Sequence, residues 1–314
     1  MMIFDAEQVK KLLDWQGTVD AIEAMFTQSC TIPERLHYQI PLDDQVDATL
    51  LLMPAWVAGK YNGVKLVNVY PGNSAKGLET IQGTYLLMDG ATGGMLAQLD
   101  GAELTARRTV CASALASKYL SRNDATHLLI VGSGRLARYL GFAHQAVRPL
   151  TRISVWARNK DKGLEVAESY RAAGIESSVI DNLKAGCAEA DIVSCATMAT
   201  QPLIFGSWLT PGTHLDLIGG FKPGMREADD EAVARSTLFV DTRVGGLAEA
   251  GDLLGPMERG VIGRDDIVAE LRELVSGHHP GRRDRKEITL FKSVGTAIED
   301  LAAAVKCYED HNRS

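Results

Sequence analysis

Residues 127–141 read HLLIVGSGRLARYLG. An apolar run, HLLIV, ends on two glycines, and RLARYLG then takes up helical spacing. A strand that stops and a helix that begins make the junction at which a dinucleotide pyrophosphate is bound. Gly132, Ser133, Gly134, Arg135, Leu136 and Ala137 give the GxGxxA spacing. Gly132 permits the tight turn, Gly134 lets the backbone approach the phosphates, and Ala137 allows close helix–strand packing. The phosphates would lie on unsatisfied N–H groups at the helix N-terminus. Such a spacing alone is weak, and an ordinary tight turn is the alternative. Here a clean strand precedes it, a helix follows, and a second strand, RISVWARN at 152–159, comes about 20 residues on, as the dinucleotide fold requires.

Downstream, strands and helices alternate. KDKGLEVAESYRAAG reads as a helix, IESSVI as a strand, NLKAGCAEA as a short helix, and DIVSCAT, THLDLIGG and STLFVDT as strands. Alternation of this kind makes parallel βαβ units, with the ligand crevice at the carboxyl ends of the strands. The end of the second strand bears on the cofactor. An NAD site usually has an acidic residue there for the ribose hydroxyls. This chain has Ala157, Arg158, Asn159 and Lys160. With no carboxylate to repel a 2′-phosphate and two cations to hold one, NADPH is the expected cofactor, with NADH possible.

Upstream the pattern differs. Residues 5–28 have helical spacing, with Val9, Leu12, Leu13, Val19, Ile22 and Phe26 inward and a division near DWQGT. ATLLLMPAW, GVKLVNVYP and GTYLLMDGATGGMLAQLD are short apolar runs bounded by turn residues, the last a hairpin across DGATGG. Residues 1 to about 115 therefore read as an α+β domain with a mainly antiparallel sheet. TARRTVCASALASKYL is a helix with Arg107 and Arg108 near its start, and SVGTAIEDLAAAVKCYED closes the chain as another. Arg35, Lys65, Arg107 and Arg108 are the cations of interest in the first part. Lys65 is flanked by Val64 and Leu66, so it faces either solvent or a cleft.

The bulk numbers restrict the class. A chain of 314 residues buries roughly three quarters of its unfolded surface. It carries 33 basic and 40 acidic residues, a formal charge of -7, which argues against a nucleic-acid surface. The five cysteines, Cys30, Cys111, Cys187, Cys195 and Cys307, are widely spaced and read as small buried hydrophobes. The seven histidines form no ligand array, and His278 and His279 fall in an exposed loop, so no metal is expected. MMIFDAEQVKKLL is not a signal peptide and no long apolar segment occurs, so no membrane partner and a cytoplasmic location are expected.

GVKLVNVYPGN, GLETIQGTYLLMDGATGGMLAQLDG, LTARRTVCASALASKYL, GSGRLAR, PGTHLDLIGG and FKSVGTAIEDL stand in order along the chain. Together they resemble the ornithine cyclodeaminase/μ-crystallin family from end to end. The resemblance implies an α/β protein with a Rossmann-type domain at 116–291. A second, α+β domain, for substrate binding and dimerisation, is formed by both chain ends, 1–115 and 292–314. It further implies that Arg35, Lys65 and Arg108 are the pocket cations, Arg107 being the less suited. Thr109, at the helix start, Thr197, after the fourth strand of the nucleotide domain, and Val294 and Gly295 of the SVG segment would approach the cofactor.

One position departs from the pattern. Cyclodeaminases carry an aspartate after GG that handles the substrate amine, and here Phe221 stands there. An aromatic ring cannot accept a proton from an ammonium. The segment is similar to the branch that reduces cyclic imines, Δ1-pyrroline-2-carboxylate and Δ1-piperideine-2-carboxylate, to L-proline and L-pipecolate, with Phe221 a wall against the ring methylenes. Asp216 lies within a strand and need not substitute. Ornithine cyclodeamination, an alanine dehydrogenase-like reaction and a non-catalytic ligand-binding role are the rival readings. Lys65 is open between proton donor and carboxylate ligand.

Overall fold

Asp5 and Asp14 each start a helix by accepting a backbone hydrogen bond from one turn ahead, Gln8 N at 2.9 Å and Gly17 N at 2.8 Å. Helices α1 (Ala6–Leu12) and α2 (Trp15–Thr27) are therefore separate, and their division falls at Asp14. Val9, Leu13, Val19, Ile22 and Phe26 are buried, while Leu12 is half-buried. The computed structural model describes residues 1–43 and 46–313. Among these residues the chain divides into two compact units, Met1–Arg108 with Thr296–Ser314, and Thr109–Gly295.

The first unit is built on a sheet of seven strands among the described residues, β1 (Met2–Phe4), β2 (Cys30–Thr31), β3 (Leu36–Ile40), β4 (Ala48–Val57), β5 (Tyr61–Val69), β6 (Ile81–Asp89) and β7 (Met95–Asp100). The order is β1-β7-β6-β5-β4-β2, with β3 also paired to β4. All pairs are antiparallel except β1 with β7. The terminal helix α11 (Ala297–Arg313) packs on α2 and on β4 and β5, so both chain ends enter this unit. It begins at Ala297, and the SVG segment precedes it rather than starting it.

The second unit carries an all-parallel sheet of eight strands among the described residues. Its elements are β8 (His127–Val131), α4 (Ala137–Gln145), β9 (Arg152–Trp156), α5 (Lys160–Ala172), β10 (Glu176–Val179), α6 (Leu183–Glu189), β11 (Ile192–Cys195), β12 (His214–Leu217), α7 (Asp230–Ala234), β13 (Thr237–Val240), α8 (Arg243–Glu249), α9 (Gly251–Glu258), β14 (Ile267–Glu270), α10 (Leu271–Val275) and β15 (Thr289–Lys292). The order β10-β9-β8-β11-β12-β15-β13-β14 reverses direction between β8 and β11, which is the switch point of a dinucleotide fold. Every residue of β8, β11, β12 and β15 is buried, as strands covered on both faces must be. Burying each Leu, Ile or Val in this core contributes about 1.5–3 kcal/mol.

Helix α3 (Gly101–Leu120) contains the boundary between the units. Asp100 accepts the Glu103 N–H at 2.7 Å and sets its start. Arg107, Arg108 and Thr109 consequently lie well inside the helix, which corrects their expected place at its beginning. Cys111, Cys187, Cys195 and Cys307 are buried and Cys30 is half-buried. His278 is exposed as expected, but His279 is half-buried with its ring edge-on to Phe239 at 5.3 Å. Among the described residues no helix is long and apolar enough to cross a membrane.

Candidate active site

In the first unit, alternation along β5 puts Lys65 on the covered face of the sheet, in register with Met53 and Tyr85. Lys65 is 2% exposed, and its Nζ donates to Asp300 Oδ1 at 2.9 Å. Asp300 sits in the first turn of α11. The same oxygen accepts Arg108 Nε at 2.8 Å, and Arg108 NH1 donates to Glu299 Oε2 at 2.6 Å. Arg35 is half-buried between β2 and β3, and its charge is felt at Lys65. The fold thus brings Lys65 and Arg108 together on Asp300, with Glu299 also on Arg108 and the charge of Arg35 reaching Lys65.

Arg107 does other work. It donates to Glu103 at 2.8 Å and to the Leu13 carbonyl at 2.6 Å, and its guanidinium lies 4.2 Å from the Trp15 ring centroid. It holds the elbow between α1 and α2.

The two members of the Lys65–Arg108 pair differ in how firmly they keep a proton. Burial pulls Lys65 down to about 8, and the neighbouring Arg108 and Arg35 add to this against the opposing pull of Asp300. Burial also disfavours charged Arg108, but Asp300 and Glu299 outweigh it and hold the guanidinium above its ordinary value. Asp300 is likewise opposed by burial, yet Arg108 and Lys65 keep it below the usual carboxylate range.

In the second unit, Gly132 follows β8 with φ +132°, and a Cβ there would stand 2.6 Å from the Ala196 carbonyl. No other residue type suits that turn. At Gly134 nothing among the described residues lies within 4 Å of a Cβ, so the fold itself does not demand glycine there. Leu136, the N-cap of α4, makes no side-chain capping bond, while Arg138 N and Tyr139 N close a tight first turn on the Arg135 and Leu136 carbonyls at 3.2 and 2.9 Å, which leaves the helix start without a protein side chain over it. Tyr170 pins that first turn by donating to the Ala137 carbonyl at 2.5 Å. Ser133 is half-buried, Arg135 exposed and Ala137 buried. These features fit a bound pyrophosphate.

The other expected cofactor residues follow β9, β11 and β15. These strands, with β8 and β12, are five consecutive members of the sheet, so the loops share one edge. Arg158 is exposed. Asn159 caps α5 by accepting Lys162 N at 3.1 Å. Lys160 lies 2.6 Å from Asp181, in the loop after β10, with both side chains largely exposed. This corrects the picture of two unopposed cations, because the neighbouring strand brings a carboxylate to one of them. Thr197 follows β11, and Phe221, 37% exposed, follows β12. Val294 and Gly295 turn immediately after β15, Gly295 at φ +80°. Thr109 is half-buried on α3 directly after Arg108.

Residues 1–314 match the ornithine cyclodeaminase/mu-crystallin family. The chain belongs to that family. A Δ1-pyrroline-2-carboxylate reductase of Paracoccus denitrificans is 40% identical over 293 residues, which span 93% of this chain and 91% of that protein. The solved structure of the Thermococcus litoralis Δ1-pyrroline-2-carboxylate reductase with NADH and L-proline superposes with a TM-score of 0.92 at 35% identity, covering 100% of this chain and 98% of that one. An archaeal alanine dehydrogenase dimer with bound NAD gives 0.91 at 28% identity, covering 100% of this chain and 96% of that one.

Family membership leaves the work of several buried carboxylates to be read from the structure, and of these the sequence had marked only Asp216. Asp300 and Glu299, in the first turn of α11, are the partners of the pocket cations. Asp241 Oδ2 accepts from Ser293 Oγ, Val294 N and Gly295 N at 2.9, 2.8 and 2.7 Å, and so fixes the SVG turn. Asp216 accepts the Ser113 and Ser194 hydroxyls, both at 2.5 Å, and is wholly buried. It is a core group and no substitute for the aspartate that Phe221 replaces.

Proposed function

We propose that the chain reduces Δ1-pyrroline-2-carboxylate to L-proline with a nicotinamide cofactor, with the six-membered Δ1-piperideine-2-carboxylate as a second substrate. The observation that carries this reading is the buried Lys65–Arg108 pair on Asp300, with Arg35 near enough for its charge to reach Lys65. A cation-rich, buried group suits a carboxylate beside a nitrogen that must gain a proton. The bound cofactor supplies a hydride to the imine carbon. Arg108, which stays charged throughout, holds the substrate carboxylate together with Arg35. Lys65 gives up its proton more readily than an exposed lysine, so it delivers one to the imine nitrogen as that nitrogen becomes an amine. Asp300 orients both cations. Phe221 lines the ring methylenes, and such apolar contact separates the five- from the six-membered ring by only about 1–3 kcal/mol.

Gly132–Ala137 with the start of α4 would hold the pyrophosphate, Arg158 the ribose end, and Thr109, Thr197, Val294 and Gly295 the nicotinamide half. NADPH is the preferred cofactor on account of Arg158, and the pairing of Lys160 with Asp181 makes that preference modest. The chain works as a homodimer, a reading supported by the archaeal relative and by the apolar outer face of the first unit's sheet.

The test is loss of NADPH absorbance with Δ1-pyrroline-2-carboxylate, beside NADH, Δ1-piperideine-2-carboxylate, pyruvate with ammonia, and ornithine with NAD. Turnover greatest with the two imines is expected. Inert imines together with ammonia release from ornithine would overturn the reading in favour of the lyase.

A further inference from the structure

Glu227 is wholly buried and answers to two turns at once. Its Oε1 accepts from Thr197 N at 2.7 Å and Thr197 Oγ1 at 2.8 Å, while Oε2 accepts from Gly219 N at 2.9 Å and Gly220 N at 3.3 Å. Thr197 follows β11 and the glycine pair follows β12, so one side chain from a third segment joins the loops of two neighbouring parallel strands. Gly219 has to be glycine, because a Cβ would collide with the Thr197 backbone and with Glu227 Oε1.

The carboxylate is itself held. Asp252 Oδ1 accepts Glu227 N at 2.7 Å and Ala228 N at 3.1 Å. Lys292 Nζ lies 2.9 Å from Asp252 Oδ2 and 4.0 Å from Glu227 Oε2, and all three side chains are fully buried. Two carboxylates and one ammonium out of water are costly, and an apolar core would serve stability as well. What the charged group adds is a fixed geometry at the strand ends.

We propose that Glu227 is a positioning residue: it locks the Thr197 turn to the Gly219–Phe221 turn, so that the cofactor-facing and substrate-facing loops keep one arrangement. This rests on the reading that Thr197 meets the cofactor and Phe221 the substrate. Glu227→Gln keeps the shape but replaces one acceptor oxygen with an NH2 that confronts N–H groups, so one of the two turns is released. Glu227→Asp keeps the charge beside Lys292 but is too short to reach both turns. Thr197→Val deletes one partner from the other side.

Dissociation constants for NADPH, read from cofactor fluorescence without substrate, are expected to rise roughly tenfold in Glu227→Gln, the loss of one charge-assisted hydrogen bond. KM for the imine should rise with them, while kcat at saturation changes less. Glu227→Asp should weaken binding in the same direction, and it carries the comparison if the glutamine variant does not fold. In a double-mutant cycle, Thr197→Val should add little to Glu227→Gln. Wild-type affinity in Glu227→Gln, full rescue by Glu227→Asp, or independent effects of the two substitutions would each overturn the proposal. A wild-type chain that binds NADPH yet leaves the imine unreduced would count against the reductase reading, while the ratio of dissociation constants still decides the role of Glu227. A wild-type chain without affinity for either nicotinamide cofactor would overturn both.

Discussion

At Lys65 the protein sets a weakened ammonium beside a guanidinium that stays charged, and one carboxylate, Asp300, touches both. With Lys65 brought down to about 8, a proton-donating role makes kcat/KM fall as pH rises through that value, since the donor is then lost. Asp300 raises Lys65, so Asp300→Asn should move this alkaline limb to lower pH. A limb unmoved by Asp300→Asn would assign it to some other group. Arg158 permits a second measurement. A single exposed cation on a 2′-phosphate favours NADPH over NADH by about tenfold once solvent screening is allowed for. Arg158→Ala should remove most of that ratio, and an unchanged ratio would take the role from Arg158. Lys65 could be singled out in the sequence because a lysine inside an apolar strand has few explanations. Asp300, Glu299, Asp241 and Glu227 could not. A carboxylate near a helix start or in a polar loop looks solvated until the fold brings its partners to it.

The loop between β8 and α4 shows how one element separates the demands of folding from those of binding. Gly132 needs its conformation and has the Ala196 carbonyl 2.6 Å from any Cβ, whereas Gly134 faces open space. Gly132→Ala should therefore lower stability by about 1–3 kcal/mol and weaken cofactor binding too. Gly134→Ala should leave the melting temperature near that of the wild type while weakening the cofactor alone. Equal stability losses in the two variants would mean that Gly134 also serves the fold. The elements most legible in the sequence were of this kind, with strong periodicity and glycine punctuation. β14 and β15 escaped notice, β15 coming one residue after the charged segment RRDRKE, where no glycine or proline marks a strand start. β3 was missed for a different reason. LHYQI does alternate apolar and polar residues, but four of the five are exposed, so its alternation does not follow a buried face.

The first unit's sheet covers one face with α11 and leaves large apolar side chains on the other. On that outer face Leu36 stands opposite Leu52 and Leu52 opposite Leu66, Pro54 pairs with Val64 and Val64 with Leu86, and Tyr38 pairs with Leu50. Leu36, Tyr38 and Trp56 are 47%, 50% and 37% exposed, and the rest of this set is half-buried. A contiguous apolar face of this kind marks an association surface. Sequence alternation alone gave the strands but not this face, because Leu50, Leu51, Leu52 and Met53 run without a polar break, and only the register separates inside from outside. The whole molecule should therefore weigh as two chains in sedimentation or light scattering. Val64→Arg, near the middle of the face, would bury a charge without a partner if the dimer formed there, at a cost of several kcal/mol. It should yield monomers with the nucleotide-binding unit still folded and able to bind cofactor. A dimer that survived Val64→Arg would place the contact on another surface, and a monomeric wild type would leave the outer face to a different partner.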